Sequence, residues 1–121
     1  MPMSVKDFLD RIVDDGIIAA AEDYKDGPKL DGAVHGFEFC RGKEPATIVK
    51  EWTRCFEMLR LLMDADNLDE YFYWQCYQNE LEWILNCLSV ATNQSLLSHL
   101  PTARGVMKAA EVLGVGTGAS G

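Results

Sequence analysis

Glu80 is the carboxylate whose surroundings best suit chemistry. On a helix it projects between two apolar faces, near Cys76 and Cys87 on one side and Tyr73 and Ile84 on the other. A carboxylate in such a place either finds a partner or shifts toward its protonated form. One expectation is therefore a general acid/base or ligand anchor in a core pocket. The other is an ion pair with Arg41, Arg54 or Arg104, or a side chain that reaches back to solvent. His35-x-x-Glu38 has the spacing to share one face of a helical turn, but it supplies two ligands where a catalytic metal needs three or more. His99 falls in a polar stretch before Pro101, suited to solvent or to capping a backbone group.

The run Tyr71-Phe72-Tyr73-Trp74, with Tyr77 and Trp83 beyond it, offers flat surfaces for a planar ligand. Consecutive helical residues face different directions, so the four cannot form one stacking shelf. No Lys or Arg occurs between Arg60 and Arg104 to hold a nucleic-acid backbone against them. Core packing plus an interface is the expected use. Glu80, Trp74, Tyr77, Trp83 and His35 are the candidate binding residues.

Other signatures fail on pattern or context. Gly114-x-Gly116-x-Gly118 has no strand before it and no helix after it, which excludes the dinucleotide-binding reading. There is no G-x-S-x-G, no H-E-x-x-H and no E-x-x-H. Cys40, Cys55, Cys76 and Cys87 include no C-x-x-C pair. Cys76 and Cys87 return to one helix face about 16 Å apart along the axis, too far for a disulfide or a shared metal. All four are expected as buried, reduced, small apolar side chains. No cofactor and no metal is expected.

With 19 acidic and 11 basic residues the net charge is −8. Direct nucleic-acid binding needs a basic patch, which this chain scarcely offers. Eight acids fall in the first 31 residues and six more between Asp64 and Glu82, while only residues 41–60 lean positive. The acids serve either as a solubilising surface or as a face that docks a basic partner or imitates DNA.

The elements that must position these residues read as helices. Ser4 and Asp7 resemble a capping box, with Met3 and Phe8 as a hydrophobic staple. Val5, Phe8, Leu9, Ile12, Val13, Ile17, Ala20 and Tyr24 then make one apolar face, with Gly16 inside it for close helix approach and Gly27-Pro28 as the stop. Residues 31–41 fit a short helix capped by Asp31 and closed by Gly42, weakened by Gly32 and Gly36. Pro45 opens the next helix, whose apolar side runs through Ile48, Val49, Trp52, Cys55, Phe56, Leu59, Leu62 and Met63. Leu61 falls among that helix's charges and hints at an interface.

Asn67 and Glu70 mark the start of a helix from Leu68 to about Thr92 that is apolar over most of its circumference. Its polar stripe is Gln75, Gln78, Asn79, Glu82, Asn86 and Ser89. Such a helix belongs at the centre of a bundle or in an oligomer interface. A last helix is expected over Thr102–Leu113, ended by Gly114.

The expected fold is all-α: a compact four- to five-helix bundle with a long central helix near residues 68–92. Residues 1–113 form one helical domain and 114–121 a flexible glycine-rich tail. No apolar stretch approaches the roughly 20 residues that span a bilayer, and no secretory leader is visible, so a cytoplasmic protein is expected. The leading functional expectation is a non-enzymatic protein–protein interaction module that self-associates, with Leu61, Ile18 and Phe72 as interface candidates. Two alternatives stand beside it. One is an acidic inhibitor or DNA mimic, of the phage or mobile-element accessory type, acting on a nucleic-acid-binding protein. The other is a small-molecule site around Glu80, with His35 and a cysteine as helpers.

Overall fold

The computed structural model describes residues 4–92, which form four α-helices: α1 (Val5–Asp23), α2 (Pro28–Cys40), α3 (Pro45–Ala65) and α4 (Leu68–Thr92). No strand occurs among the described residues. The expected Thr102–Leu113 helix, the glycine-rich tail, His99, Arg104 and the Met3 half of the staple lie outside them.

Local chemistry sets most helix ends. The Ser4 side chain accepts from the Asp7 backbone N–H at 3.1 Å, and Asn67 Oδ1 accepts from Glu70 N–H at 3.2 Å. Each satisfies a donor that the first helical turn leaves open, worth about 1 kcal/mol. Between α1 and α2 the structure differs from the expected stop and start. α1 ends at Asp23, and Gly27-Pro28 opens α2 rather than closing α1. Pro28 occupies the first turn of α2, where its missing N–H has no bond to lose. Gly27, at φ +96°, makes the entry that Asp31 was expected to make.

The α1–α2 pair is antiparallel, as the Asp14–Arg41 ion pair and the seating of Gly16 on Phe37 require. α3 and α4 are antiparallel too, joined at Asp66, which holds the left-handed conformation (φ 55°). α2 instead runs parallel to α4: Gly32 lies on the Tyr73 backbone and Gly36, one turn on, on that of Tyr77. A Cβ at Gly32 would overlap the Tyr73 carbonyl, and one at Gly36 would stand 2.7 Å from the Tyr77 carbonyl oxygen. Gly32 and Gly36, which by propensity disfavour a helix, are thus what allow α2 to seat on α4.

α1, α2 and α3 all pack on α4. From Cys76 to Ser89 only Asn79 is exposed, as the apolar circumference requires. The polar stripe is not a solvent stripe: Gln78, Asn86 and Ser89 are buried. Ser89 donates to the Leu85 carbonyl at 2.8 Å, and the Gln78 amide donates to the Trp52 carbonyl at 3.2 Å. Phe8, Ile12, Phe37, Ile48, Leu81, Ile84, Leu85 and Leu88 form the fully buried centre. Each contributes about 1.5–3 kcal/mol relative to an exposed side chain.

α3 departs from its expected face. Only Ile48, Cys55 and Leu62, spaced seven apart, are buried. Phe56 and Met63, expected in the core, are 52 % and 69 % exposed. One helix packing against a single neighbour buries a narrow seam rather than a wide face. Val5, expected on the apolar face of α1, is also exposed.

Candidate functional site

The alternating directions bring four helix ends together: the C-terminal ends of α1 and α3 and the N-terminal ends of α2 and α4. Glu22, Asp23, Asp26, Asp31, Asp64, Asp66, Asp69 and Glu70 all sit there, and all are exposed. Lys25 and Lys29 are the cations of that end among the described residues. Eight acids against two lysines leave six net negative charges, most of the −8 of the chain. Along the rest of the bundle the carboxylates of Asp14, Glu38, Glu51 and Glu57 are paired with Arg41, Arg54 and Arg60. Asp7, Asp10, Asp14 and Asp15 lie farther along α1, outside the acidic end.

A groove of about 500 Å³ opens at this acidic end, between the first turns of α2 and α4. Asp31, Asp69 and Glu70 rim it, and Pro28, Tyr73 and Trp74 wall it. Tyr73 and Trp74 meet edge to face at 5.2 Å between ring centroids. Burial and the nearby Asp31 charge both push the Tyr73 phenol up, and its oxygen lies 2.6 Å from His35 Nδ1. His35 itself is exposed and positions Tyr73. It makes no pair with Glu38, whose carboxylate binds Arg41 at 3.1 Å. No group of three His, Cys, Asp or Glu side chains able to hold a metal ion occurs among the described residues.

The other candidate residues are drawn into packing. Glu80 is 6 % exposed, so it does not reach back to solvent. Arg41 is engaged by Asp14 and Glu38, and Arg54 by Glu51. The Glu80 charge lies close enough to raise the Cys76 thiol and the Tyr24 phenol, both of which burial raises more. Glu80 does not line the groove at Tyr73 and Trp74, nor those at Asp66 and Leu68 or at Leu9 and Pro45. Trp83 is buried edge-on to Phe37 at 5.6 Å. Tyr77 donates its hydroxyl to Glu51 at 2.6 Å. Glu51 also takes two bonds from Arg54, at 2.7 and 2.8 Å. Arg54 holds the Glu51 carboxylate below the usual range, burial opposes that, and the Tyr77 bond adds to it. Trp74, half-buried, carries the Arg54 guanidinium over its ring at 5.5 Å.

The four cysteines are buried and not in disulfides. Burial pushes the Cys55 thiol up to about 11 and that of Cys40 higher still, which removes both as nucleophiles at neutral pH. Among the interface candidates Ile18 and Leu61 are 61 % and 51 % exposed, whereas Phe72 is half-buried beneath the Lys29 ammonium at 5.0 Å.

Sequence reasoning missed Asp31, Asp69 and Tyr73 as members of one groove. Asp31 lies 38 residues before Asp69 and still farther from Tyr73, on another helix that runs parallel to theirs, and nothing local signals that pairing. No helix among the described residues is long and apolar enough to cross a membrane. Comparison with protein-family models, with curated proteins and with solved structures finds no match.

Proposed function

We propose that this protein is a non-enzymatic interaction module that pairs with a second copy of itself through α3. The supporting observation is one apolar flank of that helix. Phe56 and Met63, one heptad apart, are both more than half exposed. Half-buried Val49, Trp52 and Leu59 continue the same flank. Trp52 meets Phe56 edge to face at 4.8 Å, which presents a firm aromatic surface. A self-complementary strip of this kind suits two-fold pairing, in which each copy covers the other's strip. Leu61 and Ile18 stand on other faces and lie outside the pairing strip.

Light scattering at micromolar concentration tests the reading. A dimer is expected for the wild type, and a monomer of unchanged helicity for Phe56→Ser combined with Met63→Ser. A strictly monomeric wild type overturns it.

A second reading, an acidic inhibitor that occupies a basic nucleic-acid-binding surface, is favoured by the gathering of eight exposed carboxylates at one end. Its test is competition with DNA for a basic DNA-binding protein. Loss of competition in a variant with Asp64, Asp66 and Asp69 changed to Asn supports it, and no competition by the wild type removes it.

A further inference from the structure

The groove at the acidic end combines features that neither role of its parts explains. Acids in a first helical turn stabilise the helix dipole on their own, with no need for aromatic rings beside them. Aromatic residues that only pack need no carboxylate rim. Here Asp31, Asp69 and Glu70 share the lining of an open groove of about 500 Å³ with Tyr73, Trp74 and Pro28. That volume suits a small ligand or one large side chain.

The charge of the occupant follows from magnitudes. Two helix N-termini contribute about half a positive charge each. Three carboxylates outweigh them, and among the described residues no Lys or Arg lines the groove. None of the three carboxylates is in an ion pair among the described residues. The site therefore selects a cation. A compact, strongly hydrated ammonium gains little from aromatic walls. A flat, weakly hydrated guanidinium stacks on them and presents forked donors to carboxylates. Trp74 already accepts one guanidinium, that of Arg54, over its ring.

We propose that this groove is a guanidinium site that takes an arginine side chain from a basic segment of a partner protein. The Tyr73 and Trp74 rings stand at 80° to each other, so the guanidinium stacks on one of them and meets the edge of the other, while Asp31, Asp69 and Glu70 receive the donors. The source of the arginine rests on the acidic-inhibitor reading; the chemistry of the groove does not.

The test titrates the full-length protein, at low salt, with an arginine-rich peptide, a lysine-rich peptide of equal length and argininamide. Amide and indole NMR signals and calorimetry give the readouts. The arginine peptide is expected to shift the Tyr73 and Trp74 signals and to bind at least about tenfold more tightly than the lysine peptide. Asp69→Asn combined with Glu70→Gln, both exposed and outside the core, is expected to weaken it by about tenfold or more while the spectrum elsewhere is unchanged. Equal affinity for the two peptides, or shifts that avoid Tyr73 and Trp74, overturn the proposal. Argininamide binding as tightly as the peptide overturns the partner segment as the source. If the arginine peptide binds as expected and the DNA competition above fails, the groove stands and the inhibitor reading falls.

Discussion

Along the α2–α4 seam the chain places Gly32 and Gly36 one turn apart, and backbone meets backbone. Along the α3–α4 seam it places Glu51, Trp52 and Arg54 against Tyr77, Gln78 and Trp74, and side chains meet through hydrogen bonds and a stacked cation. The first seam is specified by what is missing: a Cβ would push α2 off the long helix. The second is specified by matched donors and acceptors at its edge around a narrow apolar line. A seam made by absence tolerates no addition, whereas a seam made by pairing loses one pair at a time. The tight seam also brings the first turns of α2 and α4 together, which makes the acidic groove. The looser seam leaves one flank of α3 exposed.

Gly32→Ala should break the contrast most sharply. The new methyl meets the Tyr73 carbonyl, a backbone atom that cannot swing aside. A loss of about 3 kcal/mol is expected in urea melts, at the upper end of the cost of overpacking a core. Wild-type stability in this variant would mean that α2 does not touch α4 at this point. Tyr77→Phe should cost less, about 1–2 kcal/mol. It removes one hydrogen bond to Glu51 while Arg54 keeps the carboxylate satisfied. A loss as large as that of Gly32→Ala would show that the two seams are equally intolerant.

Acid sharpens the same comparison. Glu51 is held below the usual carboxylate range in the folded chain, so its contribution is full at neutral pH. That contribution fades as pH falls from about 4.3 through the lowered folded value. The gap in melting temperature between wild type and Glu51→Gln should therefore close on acidification, while the gap for Gly32→Ala stays open. Gly27→Ala separates two uses of glycine. Nothing stands near its Cβ, but its φ of +96° strains any other residue, so a loss of about 1 kcal/mol is expected with no displacement of α2. Leu61→Ser, at a half-exposed position outside both seams, should lie within about 0.5 kcal/mol of wild type.

The helices were legible wherever the pattern was local. Ser4, Pro45 and Asn67 start helices where their side chains or ring predict, and the Leu68–Thr92 helix has its expected bounds. Gly16 meets Phe37 closely, as a glycine inside an apolar face suggests. Legibility failed where one residue type serves two purposes. Gly27-Pro28 reads as a stop, yet the same pair opens a helix once the preceding one has ended. Gly32 and Gly36 read as helix breakers because their benefit lies on α4 and not on α2. Phe56 and Met63 read as core because periodicity cannot say how wide a face the neighbour covers.

The sequence by itself determined an all-helical chain with one greasy central helix, reduced cysteines and a large negative charge. Each of these follows from local propensity, 3.6-residue periodicity or residue count. Tertiary structure decided which helices run parallel, and so which carboxylates share an end, which aromatic rings face a groove and which apolar flank is left uncovered. Those are relations between residues far apart in the chain, set by how closely two backbones can approach. No window along the sequence contains both partners.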